Sequence, residues 1–122
     1  MMIVAKKDYV EQNPQTLEKF LRSLVRSEEF IAQDPQSASG IHAEVSGVDQ
    51  ALIDPVFDQM NFSLSMDQAL LLDLEDQARW IISYGYTDQT SVPNYLEYLY
   101  PDALQLVKPE AVTIITGVSD DN

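Results

Sequence analysis

The sequence predicts a mainly α protein, a short multi-helix chain led by an N-terminal extended strand, and three observations point there. Residues 14–32 put Leu17, Phe20, Leu21, Leu24, Val25 and Ile31 on one face at helical spacing, with Glu18, Arg22, Arg26 and Glu29 on the other. Residues 66–84 repeat the pattern through Leu70, Leu71, Leu74, Ala78, Ile81 and Ile82. Asparagine, aspartate, glycine and proline then fall where helices start and stop.

Taken in order, residues 3–10 have the composition of a short strand, broken by Lys6, Lys7 and Asp8. Nothing nearby supplies a hairpin partner, so this strand is expected to pair outside the chain or not at all. Asn13 is placed to cap a helix with Pro14 in its first turn, where proline lacks only an N–H that would be unpaired anyway. Glu28 falls within the apolar stripe of that helix. It is expected to tilt into solvent at the helix end, the alternative being a buried polar partner. Asp34 and Pro35 restart the chain as a weaker helix through Val45, closed by Gly47, in which Ser37, Ser39 and Gly40 lower helix propensity. Asp49 caps a third segment, residues 50–60, which Pro55 bends or ends.

The next helix begins at Ser65, which has capping-box spacing to Gln68, and ends at Gly85. Leu72 and Trp80 lie off its apolar face, which implies that a second surface is covered. Beyond Gly85, Tyr84, Tyr86, Tyr95, Tyr98 and Tyr100 crowd around Val92, Pro93 and Pro101, consistent with short helices over 94–99 and 102–107. Residues 111–115 form a second possible strand. Residues 119–122 are expected to fray, within a flexible tail at 116–122.

At 122 residues the chain is expected to be one domain, or part of one. Apolar residues at 45% and charged residues at 22% are ordinary for a globular protein, which argues against global disorder. The formal charge is -13, and it is unevenly placed. Residues 1–33 balance five basic against five acidic side chains, so the rest of the chain carries all of the net charge. Such a surface repels phosphate backbones, and no basic stripe with interleaved aromatics opposes this, so nucleic-acid binding is not expected. The absence of cysteine excludes disulfides, zinc-thiolate sites and thiol nucleophiles. No run approaches a membrane span, and residues 1–4 are too short for a signal core. No direct membrane insertion, export address or lipid-attachment cysteine is expected from the chain as it stands.

Catalytic chemistry finds little support. His42 is the sole histidine, and Glu44, two positions on, points in a different direction on a helix, which suits neither a general-base dyad nor a metal site. Without a second histidine or a Gly-x-Ser-x-Gly elbow the serines form no triad. Asp73, Glu75 and Asp76 are the densest carboxylates, but consecutive helical residues spread around the axis, and a solvated face is expected. Four glycines in no phosphate-loop pattern argue against nucleotides. The tyrosines are expected to pack buried or half-buried, with a ligand platform as the alternative. No catalytic residue, metal ligand or cofactor is expected, and binding or assembly remains.

The stretch KKDYVEQNPQTLEKFLRSLVRSEEFIAQDP, residues 6–35, carries a resemblance. An extended segment, Asn13-Pro14 opening a helix and Asp34-Pro35 marking its end resemble the solute-binding proteins of ABC transporters of the nitrate/sulfonate/taurine family, which includes bicarbonate and thiamine-pyrimidine binders. SLSMDQALLLDLEDQARWIISYGY and VPNYLEYLYPDALQLVKPEAVTII are similar to later helices of that family, in the same order.

The resemblance covers residues 3–115 and implies the C-terminal third of a two-lobed α/β periplasmic-binding fold. It implies docking on a membrane permease and a periplasmic or extracellular site, although the lack of a signal peptide leaves the cytoplasm open. Most ligand-contacting loops of the family lie in the preceding two-thirds, so no ligand-binding residue is carried over. The chain is expected either to be a separately encoded or excised C-terminal segment that once served uptake, or to work with a partner fragment that supplies the rest. A different class is a small acidic helical module that assembles with its own copies, most simply as a dimer.

Overall fold

The computed structural model describes residues 2–115; the predicted tail at 116–122 lies outside the described residues. Six α-helices are described: α1 (Lys7–Gln12), α2 (Pro14–Gln33), α3 (Pro35–Ser46), α4 (Gln50–Phe57), α5 (Gln68–Ser83) and α6 (Asp102–Val107). Single 3-10 turns occupy Tyr95–Tyr98 and Pro109–Ala111. The mainly α expectation agrees with these elements. Contacts divide the chain into two compact units, Met1–Leu64 and Ser65–Asn122.

In the first unit, the strand expected over residues 3–10 is absent. Residues 2–6 belong to no strand, and α1 begins at Lys7 after an extended Lys6, whose carbonyl accepts from Val10 N–H. The physical reason lies in the same three residues that broke the strand pattern. With no neighbouring edge to pair with, the backbone of 7–12 satisfies itself as a helix. Asp8 in its first turn suits the positive end of the helix dipole, and Val10 is buried.

Asn13 is a junction rather than the expected side-chain cap. Its Nδ2 donates to the Tyr9 carbonyl at 3.0 Å, closing α1, while its own carbonyl accepts from Thr16 and Leu17 to open α2. Helix α2 has the predicted extent, and Arg22 pairs with Glu18 one turn earlier at 2.8 Å. Its apolar face is covered only in part. Leu17, Leu21, Leu24, Val25 and Ile31 are half-buried, Phe20 is exposed, and none of the twenty residues is buried.

Asp34 does cap α3, its Oδ1 accepting from the Ser37 backbone N–H at 3.0 Å. Gly47 closes α3 at φ 71, where its N–H bonds the Ala43 carbonyl. Asp49 caps α4 through Ala51 N–H. Pro55 cannot donate to the preceding turn, and α4 ends two residues later, short of the predicted residue 60. The core of this unit is Ala38, Ala43, Ile53 and Phe57, with Ile31 and Phe62 against it.

The second unit is built around α5. This helix starts at Gln68 with Asp67 as its cap, its carboxylate accepting from Leu70 N–H at 3.1 Å, instead of the Ser65 capping box. Met66 explains the delay. Its N–H donates to the Ala111 carbonyl at 2.8 Å, and its carbonyl accepts from Thr113 at 3.0 Å, so residue 66 is held extended by an isolated parallel bridge to Val112. The second strand expected over 111–115 reduces to that bridge. Leu71 and Ala78 are buried on α5, with Leu70, Leu74 and Ile82 half-buried. Ala103 and Leu104 of α6, together with Ala111, complete the buried apolar set of this unit.

Two outcomes are expected from this packing. Phe57→Ala should cost the first unit about 3–5 kcal/mol, visible as a large drop in its urea midpoint by circular dichroism. The Asp34 cap has an acid signature. Hydrogen bonds from the Ser37 hydroxyl and backbone N–H hold its carboxyl below the ordinary 3.8. A lowered folded pKa gives a contribution present above pH 3.8 and lost as the pH falls through the folded value. Asp34→Asn keeps a cap oxygen without titrating, so the variant should lose less of its stability to acid in that window than the parent does. Equal losses in paired thermal melts would contradict the cap.

Candidate interaction surface

Glu28 is the first polar side chain on which the fold imposes a task. Half-buried on the apolar side of α2, its carboxylate accepts a hydrogen bond from the backbone N–H of Leu64, 36 residues away. The expectation that it tilts into solvent is therefore corrected. The chain leaving α4 returns across α2, and its N–H needs an acceptor where water is partly excluded. Glu28, Ile31, Ala32, Met60, Phe62 and Ser63 line an open cleft of about 240 Å³ there. This pairing was illegible in the sequence because its partner is a backbone group.

Ser39 is the buried polar residue of the same unit, 2% exposed, and its hydroxyl donates to the Asp54 carboxylate, tying α3 to α4. His42 is exposed, with its ring 6.2 Å from Phe57, and no cluster of metal-ligating side chains occurs among the described residues. In the second unit, Pro101, Asp102, Gln105, Val112 and Ile114 line another open cleft of about 280 Å³.

The carboxylates of α5 divide as the spacing implies. Arg79 bonds Glu75 at 2.7 Å and Asp76 at 2.5 Å, and these two partners raise the guanidinium pKa above its usual value. Asp73 is exposed, one turn before Asp76 on the same side of the helix.

The aromatic residues behave differently from expectation. Trp80 is 54% exposed, Tyr84 65% and Tyr86 70%, so the tyrosines are not buried here and the surface implied by off-face Trp80 and Leu72 is uncovered. The three rings nevertheless stack on one another. Ring centres of Trp80 lie 4.9 Å from Tyr84 and 5.5 Å from Tyr86, and the two tyrosine rings are 6.3 Å apart and nearly parallel at 13°.

Gly85 makes this possible. At φ 71 it reverses the chain, so that Tyr86 N–H bonds back to the Ile81 carbonyl and Tyr86 returns beside the last turn. Trp80 and Tyr84 are four residues apart, hence neighbours on one helix face. That spacing was the available signal. Tyr95 and Tyr98 form a separate pair, 6.2 Å apart, with Tyr98 74% exposed.

Comparison with known proteins adds one finding. A family model described as NMT1/THI5 like matches residues 1–38, the region of α1, α2 and the start of α3. The match contains both Asn13-Pro14 and Asp34-Pro35 and supports a relation to solute-binding proteins in general. No curated protein and no solved structure matches the chain. No described helix is long and apolar enough to cross a membrane.

The Glu28 bond gives a measurable expectation. Glu28→Ala leaves Leu64 N–H without its acceptor and should destabilise the first unit by about 1–3 kcal/mol. Glu28→Gln, which retains an acceptor oxygen, should lose markedly less in the same urea titration. Equal losses would assign Glu28 a packing role only.

Proposed function

We propose that this chain is the helical C-terminal segment of a solute-binding component of an ABC-type uptake system, of the nitrate/sulfonate/taurine kind. It works by binding and assembly, without catalysis, and holds no solute by itself. Its partner is the preceding part of the lobes, and the assembled protein sits in the periplasm or outside the cell and docks on a membrane permease.

The observation that carries this reading is the only partly covered face of α2. Within the stretch that matches the family model, a twenty-residue amphipathic helix has no buried residue. In a lobe of a two-layer α/β fold such a helix lies against a sheet, which buries its apolar stripe. The rest of the core has the same character. Among the described residues, five of the ten buried apolar side chains are alanine, and no large side chain is fully buried. Burial gains roughly 25 cal/mol per Å² of apolar surface, so small side chains contribute little and a covering partner contributes much.

The net charge of -13 opposes anions, and the two open clefts, at about 240 and 280 Å³, fall below the roughly 300–1,000 Å³ of enclosed ligand pockets.

One observation favours a second reading, a self-assembling acidic module. Ile41, Val45, Val48, Leu52 and Val56 are all exposed along α3, α4 and their connection, in the first unit. A symmetric dimer through that apolar set would bury them. Acidic self-repulsion would oppose it, so the dimer should tighten with moderate salt.

Both readings meet in one set of measurements. Calorimetry with nitrate, taurine and alkanesulfonates should show no micromolar binding by the chain alone. Adding an N-terminal fragment of a family member, ending before the region equivalent to residue 3, should yield a stable complex with the half-buried α2 residues protected from hydrogen exchange. Failure to complex, together with a salt-strengthened dimer in light scattering, would favour the self-assembly reading. A 13.8 kDa monomer under all conditions would contradict both.

A further inference from the structure

The outer side of α5 carries an arrangement that neither reading uses. With about 100° between successive residues, Asp73, Asp76, Trp80 and Tyr84 fall on one stripe, and all four are exposed. Buried Leu71 and Ala78 lie on the opposite side of the same helix. The chain's single tryptophan therefore faces away from the core of its own unit. Tyr86 stacks onto this pair after the reversal at Gly85, so three rings form one platform beside two carboxylates.

Charge indicates what covers it. Residues 65–122 hold ten acidic side chains against two basic ones, and Arg79, the cation on α5, is already bonded to Glu75 and Asp76. A second copy would bring like charges together at this stripe. An anionic or neutral partner would leave Asp73 unanswered and Asp76 with only its share of Arg79. A guanidinium answers both halves at once, because its plane stacks on aromatic faces and its N–H groups bond carboxylates bidentately.

We propose that the α5 stripe of Asp73, Asp76, Trp80 and Tyr84, extended by Tyr86, docks an arginine-bearing segment of a basic protein partner. The partner's arginines stack on the Trp80 and Tyr84 rings and pair with the two aspartates. Lysine, a strongly hydrated point charge, gains less from the same surface. The stripe recognises this chemistry whether or not the chain completes a solute-binding lobe.

Trp80 is its own reporter. Titrating the full chain with acetylated, amidated nona-arginine should change Trp80 emission to saturation, and nona-lysine of equal charge should bind severalfold more weakly. Cation stacking at an exposed site contributes about two- to fivefold per ring. Trp80→Ala/Tyr84→Ala should therefore weaken nona-arginine binding by about five- to thirtyfold in calorimetry. Asp73→Asn/Asp76→Asn should weaken it further and flatten its salt dependence. These side chains face solvent, so the variants should keep their helices, which circular dichroism checks. The arginine-against-lysine comparison on the parent chain stands even if one variant unfolds.

Equal binding of the two peptides with unchanged Trp80 emission would overturn the proposal, leaving charge attraction spread over the acidic surface. A ring-deleted variant that binds as tightly as the parent would do the same. So would Trp80 emission that shifts with protein concentration alone, because the stripe would then be covered by a second copy.

Discussion

Phe57 against the small residues of α3 is the contact on which the first unit depends. Its ring is 4% exposed, lies among Ala38, Ala43 and Ile53, and meets Phe62 with ring centres 5.0 Å apart. Alanine at 38 and 43 lets α4 approach α3 closely, and the buried Ser39 then bonds Asp54 across the same junction. Because α4 is held there, the chain beyond it returns over α2. That return is what brings Leu64 N–H to Glu28. The packing of α4 and this polar contact, which joins residues far apart in the sequence, thus belong to the same unit.

The second unit rests on a different constraint, the need to place a helix start beside an extended backbone. Met66 bonds residues 111–114 on both its N–H and its carbonyl side, which delays α5 and makes Asp67 its cap. Fixing the start of α5 also fixes which side faces in. Leu71 and Ala78 turn inward, so Trp80 and Tyr84 must turn out. The aromatic platform is therefore a consequence of helix phase and of the reversal at Gly85, rather than of loose packing.

The two units share one property: among the described residues, alanines make up half of the buried apolar side chains, while many large apolar side chains lie at the surface. A helix with the strong amphipathic pattern of α2 gains most of its stability from covering its apolar stripe, since propensity alone supports isolated helices poorly. The partial covering of α2 lies where residues 1–38 match the NMT1/THI5-like family model. The acidic, aromatic outer side of α5 lies outside that match. The stretch that matches the family model and the exposed aromatic, acidic stripe are thus on different helices.

Helices α2, α3 and α5 were legible in the sequence because their signals are local. Apolar spacing, proline in a first turn, an aspartate cap and a glycine terminator all act within a few residues, and most boundaries lie within two or three residues of expectation. The place of Trp80 off the apolar face was legible, but the expectation that a second surface covers it was not met, and the stacking of Tyr86 was not foreseen. What tertiary structure decided is whatever required a distant partner. Residues 7–12 became a helix because no strand edge was there to pair with them. Ser65 lost the cap to Asp67 because Met66 is bonded to residues 111–114. Glu28 turned inward to a backbone N–H 36 residues on. A sequence records the hydrogen-bonding capacity of each backbone group, but only the folded chain decides which distant group satisfies it.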